Sequence, residues 1–116
     1  MKYLLVLNIN PDVLAALTEE EQQAIGSGHQ KFMDTIKASG EFHSTVALQQ
    51  PADSAVVRVR DGLPAVTDGP FVESKELLGG FVIVAEESLL EATGWAQRYL
   101  AVVGAEQVEV RQVVLS

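Results

Sequence analysis

Few residue types in this 116-residue chain can do chemistry near neutral pH: two histidines (His29 and His43), sixteen Asp and Glu, eight Lys and Arg, and no cysteine. Without cysteine there is no thiolate nucleophile, thiolate zinc site, iron–sulfur cluster or disulfide. The histidines stand fourteen residues apart and lack an H-E-x-x-H spacing, so a zinc site has no start. No serine sits in a G-x-S-x-G elbow, and no Lys-Ser/Thr follows Gly79-Gly80 as a phosphate loop would need. No metal or other cofactor is therefore expected. The remaining vehicles are imidazole, carboxylate and ammonium.

They are densest between Asp68 and Phe81. Asp68-Gly69-Pro70 is turn chemistry, since Asp accepts nearby backbone N–H groups, Gly admits positive φ and Pro fixes its own φ. Glu73, Lys75 and Glu76 put three charges into four residues, and Gly79-Gly80 allows close approach by a backbone or a ligand. The segment reads in two ways. It is a capped turn with solvated charges, or a pocket-lining loop in which Asp68, Phe71, Lys75 and Glu76 orient a polar ligand and Glu73 supplies an acid. His29 is the candidate proton-transfer group, with Asp68, Glu73 or Glu76 as partner. The alternative for His29 is a core histidine whose nitrogens are satisfied locally. His43 faces away from Phe42 and Val46 and reads as exposed.

The elements that must position these groups follow from periodicity. Tyr3 to Leu7 and Phe81 to Ala85 are apolar on both faces, as strands in the middle of a sheet are. Thr18 and Glu21 have the spacing of a capping box, opening a helix that Gly40 stops. Ile25, His29, Phe32 and Ile36 form its apolar stripe, while Gly26 and Gly28 either permit close packing or loosen the first turns. Phe42 to Leu48 alternates as a half-buried strand. Ala55 to Arg60 alternates too, turns at Asp61-Gly62 and returns through Ala65 to Thr67 as a hairpin. Ser88 and Glu91 open a second helix to about Leu100, with Leu89, Ala92, Trp95, Ala96 and Leu100 inward. Gln107 to Leu115 is the last strand. This order predicts one α+β domain over residues 1–116, a ferredoxin-like split βαβ with an antiparallel sheet. Two helices cover one face of that sheet only. The apolar character of the other face predicts a homodimer.

Asp68-Gly69-Pro70-Phe71-x-Glu73-Ser74-Lys75-Glu76-x-x-Gly79-Gly80-Phe81 resembles the signature of the YCII-related family, in the branch named for its Asp-Gly-Pro-Phe motif. The Met1-Lys2-Tyr3 start, the hairpin around Asp61-Gly62 and Val108-Glu109-Val110-Arg111 agree with it, so the resemblance spans the chain. It implies a dimeric α+β barrel, two protomers packed sheet to sheet. It also implies relatives that include small cofactor-free enzymes, and a branch often encoded beside extracytoplasmic-function sigma factors. His29, eleven residues before Gly40, is similar in place to a helix histidine that such proteins are suspected of pairing with an acid.

With eight Lys and Arg against sixteen Asp and Glu, the formal charge is −8, which disfavours direct nucleic-acid contact and anionic membranes. No apolar run approaches the roughly 20 residues of a membrane span, and no leader is visible, so a cytoplasmic protein is expected. Two functions fit. One is a binding or regulatory module with a small-ligand cleft, docking a metabolite or a sigma factor. The other is a cofactor-independent isomerase, dehydratase or dehydrohalogenase using His29 as general acid/base.

Overall fold

The computed structural model describes residues 1–49, 51–69, 77–103 and 107–114. The chain runs β1 (Lys2–Ile9), α1 (Pro11–Ala16), α2 (Glu19–Ser39), β2 (Phe42–Ala47), a 3₁₀ turn at Pro51–Asp53, β3 (Ala55–Arg60), β4 (Leu63–Asp68), β5 (Leu77–Ala85), α3 (Leu89–Val103) and β6 (Glu109–Gln112). The class is α+β. Four strands form an antiparallel sheet in the order β2-β5-β1-β6, with the two apolar runs central, and β3-β4 form a separate two-stranded sheet.

Local chemistry explains the helix ends. The Thr18 hydroxyl accepts from the Glu21 N–H at 3.1 Å while the Glu21 carboxylate accepts from the Thr18 N–H at 3.0 Å, a complete capping box. Those bonds hold the Glu21 carboxyl below its ordinary pKa. Gly40 closes α2 in the left-handed region at φ 80°. The periodicity did not foresee α1, six residues long, although Asn10 caps it and Pro11 opens it.

Both long helices lie on one face of the sheet. Tyr3 and Leu5 of β1 and Val82 and Val84 of β5 are buried there under Phe32, Met33, Ile36, Ala92, Trp95 and Ala96. Side chains alternate along a strand, so Leu4, Val6, Phe81 and Ile83 share the opposite face. Registers Leu4↔Ile83 and Val6↔Phe81 place them side by side, and Val46 continues the row beside Phe81. Two expectations need correction. Leu89 is 52% exposed, because Tyr99 and Val102 rather than Leu89 complete the inward stripe of α3. The last strand spans Glu109–Gln112, leaving out Gln107, Val108, Val113 and Val114 of the expected run, whose final Leu115 lies outside the described residues. Arg58 on β3 is half-buried.

No helix among the described residues is long and apolar enough to cross a membrane.

Candidate functional site

His29 sits in the seam between α2 and α3. Its Nδ1 lies 3.3 Å from the Tyr99 hydroxyl, and the two rings meet edge to face at 5.8 Å. Tyr99 in turn packs edge-on to Phe32 at 5.0 Å, and Phe32 to Trp95 at 6.1 Å. Burial lowers the His29 pKa and raises that of Tyr99, so imidazole and phenol are both neutral near pH 7. The seam is tight because Gly28, one residue before, faces the Val102 carbonyl with no room for a side chain. Ile25, predicted on the same stripe, is likewise half-buried, whereas Phe32 and Ile36 are fully inside.

Asp68 ends β4, opposite Ala55, and is exposed. The next N–H, of Gly69, donates to the Ser54 carbonyl at 2.7 Å. A Cβ at Gly69 would overlap the Ser54 hydroxyl, so this turn admits only glycine without displacement. Gly79 and Gly80 resolve the same way. A side chain at Gly79 would strike Ile9, and one at Gly80 the Val46 carbonyl, so both serve chain-to-chain packing in the sheet. Phe71, Glu73, Lys75 and Glu76 lie outside the described residues.

Beside this turn is a cleft of about 370 Å³ lined by Leu48, Pro51, Leu77 and Leu78, with Gln49, Asp53 and Ser54 as its polar groups. Its volume lies within the range of small-molecule sites. Its walls come from residues 48–54, whose Ser54 carbonyl accepts from the Gly69 N–H, and from Leu77 and Leu78 at the start of β5. The YCII-related domain model matches residues 1–114. The chain belongs to the YCII-related family. No curated protein matches it.

This YCII-related chain also carries a polar cluster that no spacing announces. The indole N–H of Trp95 donates to Glu86 Oε1 at 2.7 Å and to Glu41 Oε2 at 2.9 Å. Glu86 is 9% exposed, the one buried polar side chain among the described residues. Burial raises its pKa; the Trp95 N–H opposes that shift, and the Glu41 carboxyl adds to it. The guanidinium of Arg98 lies 4.7 Å over the Trp95 ring. The two acids stand 54 and 9 residues from Trp95, so only the folded chain joins them. Among the described residues, no group of three or more potential ligands could hold a metal ion. His43 is exposed, its Nδ1 3.1 Å from the Ser44 hydroxyl.

Proposed function

We propose that this YCII-related protein is a homodimeric ligand-binding module of the Asp-Gly-Pro-Phe branch, taking a small molecule in the cleft beside Gly69 and Leu77. The observation that supports this most is that Leu77 and Leu78 of the motif line that cleft together with Ser54, which is bonded to Gly69. Leucines and Pro51 suit an apolar body, and Asp53, Ser54 and Gln49 suit a hydrogen-bond donor or amine at one end. Phe71, Lys75 and Glu76 are the expected further contacts, with Asp68 at the turn. The strand order β2-β5-β1-β6, with α2 and α3 as its crossovers, supports the ferredoxin-like reading. The apolar row Leu4, Val6, Phe81 and Ile83 supports packing of two sheets face to face. A sigma factor is the protein-partner form of the same module, and the cytoplasm its expected compartment.

The second reading, a cofactor-independent enzyme with His29 as general acid/base and Glu73 as acid, draws support from the neutral His29 imidazole. It differs in where a ligand must bind. Amide-resolved NMR with a library of small apolar amines and amides tests both. The module reading expects shifts at Leu48, Ser54, Leu77 and Leu78 that disappear in Leu78→Trp, which fills the cleft. Shifts confined to His29 and Tyr99 would replace it with the enzyme reading, and no shifts at the cleft would reject it.

A further inference from the structure

The β3-β4 hairpin has its faces the wrong way round for a monomer. Its register is complete from Ala55↔Asp68 to Arg60↔Leu63, across a turn in which Asp61 and Gly62 have φ 51° and 77°. One face carries Val56, Arg58, Arg60, Leu63, Ala65 and Thr67, and of these Val56, Arg58 and Ala65 are half-buried. The other carries Ala55, Val57, Val59, Pro64, Val66 and Asp68, and its valines are 66%, 76% and 70% exposed. An antiparallel pair ordinarily turns its apolar face inward and its polar face to water. Here the valine face is bare. The extensive packing of each strand is with the other, and a lone two-stranded hairpin is marginally stable in water.

The size of the molecule says how much surface waits to be covered. A compact chain of 116 residues has a radius of gyration of about 13 Å, against the observed 16.3 Å. A monomeric protein of 12.5 kDa exposes roughly 6,200 Å², against 8079 Å² in this chain. The surplus of roughly 1,900 Å² exceeds the approximately 800 Å² that a standard interface takes from one partner and reaches the range of obligate homodimers. A two-fold axis repeats every contact, so a hairpin and a sheet face that dock on a second copy are covered in both copies at once. A foreign partner on the hairpin would leave the row Leu4, Val6, Phe81 and Ile83 uncovered.

We propose that the β3-β4 hairpin is a clasp whose valine face docks on a second copy of this chain. This rests on the homodimer reading above and adds a second contact region to the sheet face. The chain has no cysteine, so Val59→Cys gives a unique spin-label position on the clasp. Sedimentation is measured for the wild type, Val57→Lys/Val59→Lys and Ile83→Lys, with circular dichroism to confirm folding. The clasp predicts a wild-type dimer that Val57→Lys/Val59→Lys weakens by roughly a hundredfold or more. It also predicts a Val59 label that is immobile in the dimer and mobile on dilution. A dimer weakened by Ile83→Lys but not by the valine pair, with a mobile label throughout, overturns the clasp and keeps the dimer. A monomeric wild type overturns both. A label immobilised only on adding another protein overturns the clasp in favour of a foreign partner.

Discussion

Two glycines in α2, two residues apart, should respond to alanine with opposite signs. At Gly26 an added Cβ meets nothing within 4 Å. Alanine there keeps its whole helix-propensity advantage over glycine, about 1 kcal/mol. At Gly28 the same atom would overlap the Val102 carbonyl oxygen and lie 3.0 Å from the carbonyl carbon. That obstacle is the backbone of α3, which cannot swing aside as a side chain could, so the two helices must part. Overpacking of this kind costs about 1–3 kcal/mol, and backbone against backbone belongs at the upper end. Subtracting the propensity gain leaves a net loss of about 1–2 kcal/mol for Gly28→Ala. A domain of this size shifts its Tm by about 4 °C per kcal/mol. Gly26→Ala should therefore melt several degrees above wild type and Gly28→Ala several degrees below. Unchanged m-values in urea unfolding would show that neither variant alters the compactness of the unfolded state or the two-state transition. The His29 imidazole resonance should also move in Gly28→Ala alone, since its contact with Tyr99 crosses the same seam. If both variants rise in Tm by the same amount, the close approach of α2 and α3 is wrong.

The buried carboxyl of Glu86 gives a pH-dependent test. Its pKa is raised above the ordinary 4.5, chiefly by burial, so its neutral form is the one the fold prefers. The stability this contributes is complete below the ordinary value and is lost as pH rises through the raised one. Glu86→Gln keeps an acceptor for the Trp95 N–H without the charge, so its urea midpoint should fall less than wild type's between acid and neutral pH. An equal fall would remove Glu86 as the cause. For His29 the sign reverses. Burial lowers its pKa from 6.5, so its contribution is full above that value and is lost as pH falls through the lowered one. Tyr99→Phe should cost about 0.5–1.5 kcal/mol for the lost hydrogen bond and leave the NMR titration of His29 still depressed. A return to the ordinary value would mean the hydroxyl, not burial, sets it.

Features set by neighbouring residues were legible from the chain, and features set by encounter were not. The hairpin strand Ala55–Arg60 and its Asp61-Gly62 turn match the expectation, because positive φ at both turn positions favours Asp-Gly. Thr18, Glu21 and Gly40 mark the ends of α2 for equally local reasons. The rotation of α3 about its axis depends instead on where α2 lies, which is why Leu89 faces water and Tyr99 and Val102 face inward. The motif glycines were open to a ligand or a packing role from sequence, and only the Val46 carbonyl and the Ile9 side chain decide for packing. Tyr99 stands 70 residues from His29. The candidate partners in sequence were carboxylates, and the partner in the seam is a phenol.

That exchange bears on where function should lie. A general base needs a free nitrogen and a space beside it for the reacting atom. His29 has one nitrogen engaged by Tyr99 and is half-buried in a seam built on the rings of Tyr99, Phe32 and Trp95 and narrowed by the contact of Gly28 with α3. Seating a substrate deep in that seam would mean parting the two helices that roof the core. The hairpin end makes no such demand. There, Gly69 fixes the turn against Ser54, Gly79 and Gly80 fix the start of β5 against β1 and β2, and the cleft lies between these tight points. A cleft set between such fixed points can take a ligand without disturbing the core. Substitutions in the cleft should therefore change binding with little loss of stability. Substitutions in the seam should do the reverse, and that contrast separates a ligand-binding module from an enzyme built on His29.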